Sequence, residues 1–331
     1  MSNQPKVSVV MPCYNHEQYI EEAIESIQSQ TYQNWELVVI DDCSTDNSVT
    51  IAKNIAKKDA RIRVIEHSYN KGTSNTLNDG IRIATGEYIA IQSADDISVA
   101  HRLEAQVSYF LEHPRTTSVS SYVLPVNDTK EVTEETKEYE AIFQRSNTSQ
   151  AQTLHDFFIF SNFINNSSQM IPASVVSHIG YNRISLFQLH DYEYNIRLAL
   201  AGEIYVIPDV LLLYRVRNDG QNVSLSNTKG MHCRQFVENY MVLDNYLEID
   251  DVDFFLEIFG QYSKRIGKVR KETIPYFLAM IAIQHCQEIS KKLWGFRILY
   301  SFCAQEGVFE MLRRDCGLTY KQFTQLAKGG G

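Results

Sequence analysis

The chain has 331 residues, of which 44% are hydrophobic and 21% are charged, a composition typical of a globular protein with a sizeable core. Its formal net charge of -9 argues against nucleic acid as a main partner, because phosphate backbones bind to positively charged surfaces. The six cysteines form no CxxC pair, so we expect reduced thiols. The sequence has neither a charged-then-apolar leader nor a run of about 18 apolar residues, and we therefore expect a cytoplasmic protein.

The first hundred residues alternate predicted strands and helices. Apolar runs at 7–11, 35–40, 62–66 and 88–91 predict strands, and apolar residues at helical spacing follow each of the first three. Because proline has no amide hydrogen, we expect the first strand to end before Pro12. Repeated units of this kind favour an α/β fold with a Rossmann-like, mainly parallel sheet flanked by helices. Ligands bind such sheets at the carboxyl edge of the strands.

The rest of the chain has a different pattern. Residues 118–150 are polar and rich in acidic residues, which predicts a solvated insertion. A helix over 192–200 and apolar runs from 204 to 213 follow, and after about residue 226 one amphipathic helix follows another. We therefore expect an all-α region at the C-terminal end.

Two polar clusters follow the first two predicted strands. Residues 12–15, Pro-Cys-Tyr-Asn, would bring an aromatic ring to the sheet edge, where a base can stack, although an ordinary strand-to-helix turn explains them equally well. Asp41 and Asp42 leave the second strand, and because successive side chains point to opposite faces, only one enters a pocket. Such an acceptor suits a nucleobase imide or a ribose hydroxyl. The alternative is capping of the next helix by residues 41–46.

Two further clusters contain aspartates. Ser93-Ala94-Asp95-Asp96 follows the fourth strand, and carboxylates beside a phosphate site suit a hard cation such as Mg²⁺ or Mn²⁺. The alternative is a helix start before residues 99–107, where acidic residues are also favourable. His190 and Asp191 precede another predicted helix. A carboxylate there can accept a proton from an attacking hydroxyl, although a plain N-cap explains Asp191 alone more simply.

Taken in order, these segments resemble the family 2 glycosyltransferases, inverting enzymes with the glycosyltransferase A fold. The resemblance lies in VSVVMPCYNHEQYIEEAIESIQSQTYQNWELVVIDDCSTDNS, NKGTSNTLNDGIRIATGEYIAIQSADD and LHDYEYNIRLALAGEIYVIPDVLLLYR. It covers roughly residues 6–226, without the acidic insertion. On this basis we expect a catalytic domain over 1–226, with a nucleotide-binding half (1–100) and an acceptor half (101–226), and a helical C-terminal region over 227–331.

The resemblance implies nucleotide-binding roles for five residues in the first half. Pro12, Tyr14 and Asn15 would border the nucleobase. Asp42 would bind the base or the ribose, and Asn78 would line the same pocket.

The resemblance also implies roles around the reacting groups. Asp95 would be the carboxylate ligand of a Mn²⁺ or Mg²⁺ ion that bridges the donor diphosphate, with Asp96 near the sugar, and Asp191 would be the general base. Two departures from the family pattern stand out. Ser93 occupies the first acidic position of the usual Asp-x-Asp-Asp, where its hydroxyl can still bond a ribose. Arg217 stands where a histidine is common, and a guanidinium group holds phosphate oxygens but cannot ligate a cation.

We therefore expect a metal-dependent enzyme that moves a sugar from a nucleotide-diphosphate donor, most simply a UDP-sugar, to an acceptor hydroxyl. Bacterial surface polysaccharide or glycoconjugate synthesis is the expected setting, with a saccharide or lipid-linked acceptor. The departures from the family pattern leave an alternative, a catalytically weakened nucleotide-sugar-binding sensor or scaffold. A dinucleotide oxidoreductase is disfavoured, because Pro-Cys-Tyr-Asn stands where a glycine-rich phosphate turn is required.

The C-terminal helices carry aromatic residues that look exposed in the sequence, beside several basic residues. The aromatic residues are Phe254, Phe255, Phe259, Trp294 and Phe296, and the basic ones are Lys264, Arg265, Lys268, Arg270, Lys271, Lys291 and Lys292. This pattern predicts a homo-oligomer contact or peripheral docking at the inner face of the membrane. Packing of the aromatic rings on the catalytic domain is the alternative.

Overall fold

The computed structural model describes residues 4–217, 229–263 and 267–326. The chain forms two compact units, one of residues 1–150 and 163–227 and the other of residues 151–162 and 228–331. The predicted domain boundary at residue 226 lies outside the described residues.

The described residues of the first unit form a sheet of eight strands. These are β1 (Val7–Cys13), β2 (Trp35–Asp41), β3 (Ile62–Glu66), β4 (Tyr88–Ile91), β5 (Ile97–Ser98), β6 (Ser118–Val126), β7 (Met170–Pro172) and β8 (Ile204–Arg215). Their order across the sheet is β3-β2-β1-β4-β7-β6-β8-β5. The strands from β3 to β4 are parallel, as predicted. Beyond β4 the sheet is mixed, because β7 and β5 pair antiparallel with their neighbours while β6 and β8 run parallel.

The described residues before 204 form eight α-helices. They are α1 (Ile20–Gln28), α2 (Ser48–Ala56), α3 (Thr73–Ile83), α4 (Arg102–Glu112), α5 (Glu134–Phe143), α6 (Gln150–Ile159), α7 (Ala173–Ile179) and α8 (His190–Ala201). All of them except α6 belong to the first unit. The second unit contains α6 together with α9 (Lys229–Val242), α10 (Val252–Ser263), α11 (Ile274–His285), α12 (Ile289–Cys303), α13 (Val308–Cys316) and α14 (Tyr320–Leu326). The prediction of an all-α C-terminal region is confirmed.

Strand β1 continues through Pro12 to Cys13, beyond the end predicted from the sequence. The Gln92 amide donates to the Val10 carbonyl, so the backbone polar groups of Val10 face β4, and those of Pro12, two residues later, face the same way. The last paired residue of β4 is Ile91, opposite Val10. Pro12 therefore extends past the end of β4 and removes no ladder hydrogen bond.

Part of the predicted solvated insertion is a buried strand. β6 pairs with β8, and its residues Ser118, Ser120 and Ser121 are buried. Serines at these positions hide the apolar pattern of a strand, so the prediction of an irregular segment was wrong for residues 118–126. After this strand, α5 begins at a reciprocal capping box in which Thr133 and Thr136 bond to each other's backbone N–H.

Helix α3 lies close to the sheet because it contains Gly80. A Cβ atom at this position would collide with Cγ1 of Val10 and lie 3.1 Å from Cγ1 of Ile40. Leu77 and Ile81 on the same helix are buried. The glycine thus sets the depth of α3 against β1 and β2, and with it the position of the loop that precedes α3.

The second unit has an aromatic core. The ring of Phe158 packs edge-on against Tyr246 at 4.9 Å, Phe259 at 5.1 Å and Trp294 at 5.9 Å between centroids. Phe255 and Phe259 also contact each other, at 5.4 Å. Because Phe255, Phe259 and Trp294 are fully buried, the prediction that they are exposed is wrong, and they cannot belong to a docking surface.

Lys291 is also fully buried. Its ammonium group donates to the carbonyls of Phe157 (3.2 Å), Phe158 (3.0 Å) and Phe160 (2.6 Å) at the end of α6. The last carbonyls of a helix have no partner within it, so Lys291 satisfies them. Burial lowers the pKa of Lys291. This residue therefore joins α12 to α6 and is removed from the predicted basic surface, of which residues 264 and 265 lie outside the described part of the chain.

In the part of the chain that the structure describes, every helix is too short or too polar to cross a membrane.

We predict that Gly80→Ala lowers the free energy of unfolding by about 1–3 kcal/mol, because the added methyl group must displace Val10 or Ile40 in a packed core. Gly260→Ala is the matched control, since its methyl group would lie 3.9 Å from Leu256 Cβ, at ordinary contact distance. It should be neutral or slightly stabilising. Denaturant unfolding followed by circular dichroism measures both variants, and an unchanged midpoint for Gly80→Ala would contradict the close packing of α3.

Candidate active site

The loops after β1 and β2 are joined to each other at the carboxyl edge of the sheet. The backbone N–H of Asn15 donates to Ser44 Oγ, and Asn15 Oδ1 accepts from the N–H of Thr45, both at 2.8 Å. Asp41 in turn accepts from the backbone N–H and the hydroxyl of Ser44. Asn15 has a φ of 56°, which asparagine tolerates better than most residues. It shapes the loop, while Tyr14 stays 45% exposed at the edge.

Asp42 is buried and points away from its neighbour Asp41 toward the loop before α3. Its carboxylate accepts from the backbone N–H groups of Lys71 (2.7 Å) and Gly72 (2.8 Å), and it lies 2.9 Å from Nδ1 of His67. Asp42 thus fixes the loop whose position depends on the depth of α3. Its role toward a base or ribose stays a prediction.

Asn78 is buried in α3, where its amide pairs with Asn182. Its Nδ2 donates to the Asn182 carbonyl at 2.9 Å, and its Oδ1 accepts from the Asn182 N–H at 3.0 Å. These bonds tie α3 to the segment before α8. The structure therefore gives Asn78 a structural role, and its nucleotide contact stays a prediction.

Asp95 lies in the loop after β4, beside two basic side chains. One oxygen of its carboxylate, Oδ2, is 3.6 Å from His16 Nε2 and 3.8 Å from a terminal nitrogen of Arg217. All three side chains are largely buried. Strand β5 separates this loop from α4, so the helix-start alternative does not apply to Asp95. Sequence reasoning missed His16, although its place directly after Asn15 at the ligand edge was a usable signal.

Ser93 and Asp96 flank Asp95 in the same loop. The Ser93 hydroxyl accepts a hydrogen bond from Ser167 at 2.8 Å, so it is tied to the segment before β7. Asp96 is buried, and one of its oxygens accepts from the backbone N–H of Arg215 at 2.9 Å. Burial, and then the negative charge of Asp95, raise the pKa of Asp96. A carboxylate in this position holds the loop to the end of β8.

Arg215, the last residue of β8, is buried and binds three separate segments. Its side chain donates to the carbonyls of Asp95 (3.0 Å) and Asp128 (2.8 Å) and to the carboxylate of Glu22 in α1 (2.8 Å). The sequence pattern alone predicts no role for it. The sequence does contain one signal for this role, an arginine at the end of an apolar run. Such an arginine is expected to be buried, and a buried guanidinium group needs several hydrogen-bond acceptors.

Tyr19 lies beside both arginines of this segment. Its ring centroid is 4.9 Å from the guanidinium carbon of Arg215 and 5.2 Å from that of Arg217, within the range of cation–π contacts. Its hydroxyl donates to Asp128 at 3.0 Å. Tyr19 therefore helps to hold Arg217 at the side of Asp95.

Asp191 occupies the first turn of α8, where its carboxylate accepts from the N–H of Tyr192 at 2.8 Å. Asp191 and the two aspartates after β4 all act on the charge of the Tyr214 phenol in β8. Burial raises the pKa of Tyr214, and the negative charges of Asp96, Asp95 and Asp191 raise it further. The third and fourth predicted clusters are therefore close enough to act electrostatically on the same phenol group.

Glu193, in the same helix turn, is fully buried and has a structural role. It accepts two hydrogen bonds of 2.8 Å from Arg197, and Arg183 lies 3.0 Å away. Arg197 also donates to the Ile179 carbonyl. Two guanidinium groups hold this carboxylate in place, so Glu193 anchors α8.

Residues 8–169 match the model of Glycosyl transferase family 2. An uncharacterized glycosyltransferase of Haemophilus influenzae is 33% identical over 221 residues, which cover 66% of this chain and 68% of that protein. The chain belongs to glycosyltransferase family 2. A second relative of this glycosyltransferase is the Escherichia coli protein named UDP-Glc:alpha-D-GlcNAc-diphosphoundecaprenol beta-1,3-glucosyltransferase WfgD. It is 42% identical over 107 residues, which cover 32% of this chain and 42% of WfgD.

Two solved structures share the fold of this glycosyltransferase. Staphylococcus aureus TarS 1–349 in complex with UDP-GlcNAc aligns with a TM-score of 0.59 and 19% identity over 95% of this chain and 93% of that one. The mannosyltransferase PcManGT from Pyrobaculum calidifontis, in complex with GDP-Man and Mn²⁺, aligns with a TM-score of 0.52 and 19% identity over 99% and 85%. The predicted glycosyltransferase A-like fold is confirmed.

The side chains around Asp95 in this glycosyltransferase suit a metal ion that is held in part by the substrate. Within the described ranges, no group of three or more His, Cys, Asp or Glu side chains could hold a metal. Asp95 offers one carboxylate at a strand end, and His16 lies beside it. Mg²⁺ usually binds through one or two carboxylates together with substrate phosphates, and these residues fit that mode.

We predict that UDP binding to this glycosyltransferase is strengthened by Mn²⁺ and that Asp95→Ala removes this gain, because the variant lacks the carboxylate placed to hold the ion. Asp209→Ala removes an exposed carboxylate of β8 instead and should bind UDP normally. Isothermal titration calorimetry with Mn²⁺ or with a chelator measures the difference. Equal affinity of the unmodified protein for UDP under both conditions would contradict this prediction.

Proposed function

We propose that this family 2 glycosyltransferase is an inverting, metal-dependent enzyme that moves a sugar from a UDP-sugar to an acceptor hydroxyl. The proposed setting is synthesis of a bacterial surface polysaccharide or glycoconjugate. The observation that carries the proposal is the group of side chains after β4, where the Asp95 carboxylate lies beside His16 and Arg217. It would provide a carboxylate for a metal and a guanidinium group for phosphate oxygens, and Asp191 in the first turn of α8 would be a separate carboxylate for proton transfer.

The nucleotide of the donor would bind at the loops after β1 and β2. Tyr14 offers an exposed ring there, bordered by Pro12 and Asn15. Asp42 offers an acceptor for the base or the ribose, and Ser93 a hydroxyl for the ribose. The choice of uridine is supported by the bound UDP-GlcNAc of TarS and by the name of WfgD, whereas the GDP-Man of PcManGT makes guanosine the competing choice.

The diphosphate of the donor would bind beside Asp95. A Mn²⁺ or Mg²⁺ ion held by Asp95 would supply positive charge to the leaving diphosphate. Arg217 can hold phosphate oxygens in a bidentate manner, and its 3.8 Å distance from Asp95 puts it within reach of the same group. The Mn²⁺ in the PcManGT complex supports the choice of metal.

In the proposed reaction the acceptor oxygen attacks the anomeric carbon from the side opposite the diphosphate. The new bond from this oxygen to the carbon forms while the bond to the diphosphate breaks, and the diphosphate leaves with the electron pair. Asp191 takes the hydroxyl proton, and Arg217 stabilises the departing charge. Attack from the opposite side inverts the configuration at the anomeric carbon.

The acceptor would be a saccharide or a lipid-linked saccharide. The name of WfgD, whose acceptor is a diphosphoundecaprenol-linked GlcNAc, supports a lipid-linked one. On this side of the site, α5 contributes Phe143, whose ring packs edge-on against Tyr214 at 5.8 Å. This aromatic pair would form part of the wall that faces the acceptor.

We predict that Asp191→Asn lowers turnover by roughly 10²-fold or more, because it removes the base but keeps the size of the side chain. The variant should fold and bind UDP with Mn²⁺ normally, since Glu193 still anchors α8. Release of UDP from UDP-Glc and UDP-GlcNAc, with a lipid-linked GlcNAc diphosphate as acceptor, measures the effect. Asp209→Asn is the matched surface control. Near-normal turnover by folded Asp191→Asn protein would rule out this assignment and direct attention to Asp96.

A further inference from the structure

The C-terminal helical unit contains a cavity of its own. Its volume is about 590 Å³, within the roughly 300–1,000 Å³ range of small-molecule pockets. Four glutamines, two tyrosines and a histidine line it together with four less polar side chains. None of these eleven residues is an aspartate, glutamate, lysine or arginine. The candidate active site does not include any of them.

The lining of this cavity matches a neutral ligand with many hydroxyl groups. A glutamine amide offers two N–H donors and a carbonyl acceptor, so it can bond to a hydroxyl group in either direction. Among the described side chains that line the cavity, a charged ligand would find no Asp, Glu, Lys or Arg as an ionic partner. An acyl chain would leave the amides unsatisfied. Aromatic rings beside amide groups suit a sugar, which has both apolar C–H faces and hydroxyl groups.

Two of the amides are free to bind a ligand. Gln284 at the end of α11 and Gln325 in α14 are exposed. Within the described part of the chain, neither side chain makes a hydrogen bond to the protein. The side chain of Gln322, by contrast, already accepts from the N–H and the hydroxyl of Thr319 at 2.8 Å. Gln284 and Gln325 therefore keep their full hydrogen-bonding capacity for a bound molecule.

One wall of the cavity is held in place by His155. Its Nδ1 lies 2.9 Å from Asp156 Oδ1, and its Nε2 lies 2.8 Å from the Gln261 amide nitrogen and 2.9 Å from the Tyr262 hydroxyl. A proton on Nδ1, donated to Asp156, leaves Nε2 as an acceptor for the Gln261 amide. The Tyr262 ring packs 4.4 Å from the ring of His285. These contacts give the cavity a pre-organised aromatic surface.

We propose that this cavity binds a neutral saccharide unit. In the cell that unit would be part of the acceptor glycan, an assignment that rests on the proposed function. The match between amides, aromatic rings and a neutral sugar depends only on the residues of the C-terminal unit. Binding is therefore expected without a nucleotide donor and without catalysis.

The proposal is tested by saturation-transfer difference NMR on the full chain without nucleotide. The probes are maltotriose, cellotriose and triacetylchitotriose, with trigalacturonate as an anionic control. At least one neutral trisaccharide should receive saturation, and trigalacturonate should not. The double substitution Gln284→Leu and Gln325→Leu should weaken that binding roughly tenfold, because two hydrogen bonds are lost. Both residues are exposed, so the variant should fold as the unmodified protein does.

Two further variants separate this site from the rest of the chain. Gln305→Leu, an exposed glutamine outside the cavity lining, should bind the same trisaccharide normally. Asp191→Asn should also bind it normally, so that loss of transfer and loss of saccharide binding are distinguished. Absence of binding by every neutral trisaccharide, preference for trigalacturonate, or unchanged binding by the double variant would each overturn the proposal.

Discussion

The buried guanidinium group of Arg215 fixes the loop that carries the candidate metal ligand. It bonds to the carbonyl of Asp95, 120 positions earlier in the chain, and also to Asp128 and Glu22. A buried charge that loses its partners is costly, so β8, α1 and the loop after β4 must keep their relative positions for Arg215 to stay paired. The backbone N–H of the same residue holds Asp96. The place of Asp95 at the sheet edge thus depends on this one side chain.

The two departures from the family pattern have a common electrostatic consequence. Serine in place of the first aspartate removes a negative charge, and Arg217 in place of a neutral histidine adds a positive one. Both changes would make the proposed site more favourable for a diphosphate before any metal binds, and His16 lies near the same Asp95 oxygen as a further basic group. Such a site would need less charge from the metal ion than the usual pattern does. Weaker metal affinity is the expected cost of this arrangement.

The sequence predicted the parallel half of the sheet well, because strands buried on both faces appear as continuous apolar runs. It also placed Asp95 in the loop after the fourth strand and Asp191 at the start of a helix, while the roles of both residues stay predictions. It missed β6, whose buried serines find partners far away in the chain, as Ser118 does with Gln169. The role of Arg215 likewise depends on distant carbonyl groups that no local pattern reveals. The exposure of Phe255, Phe259 and Trp294 was misjudged because a helix in a bundle can be buried on more than one face.

The central claim of this account is that a nucleotide diphosphate binds at the carboxyl edge of the sheet through a metal held by Asp95. Crystals grown with UDP and Mn²⁺, measured at a wavelength where manganese scatters anomalously, test it most directly. The account predicts an anomalous peak between the Asp95 carboxylate and the phosphates, with the uracil ring beside Tyr14. A manganese peak remote from Asp95, or UDP bound at another face of the sheet, would contradict it.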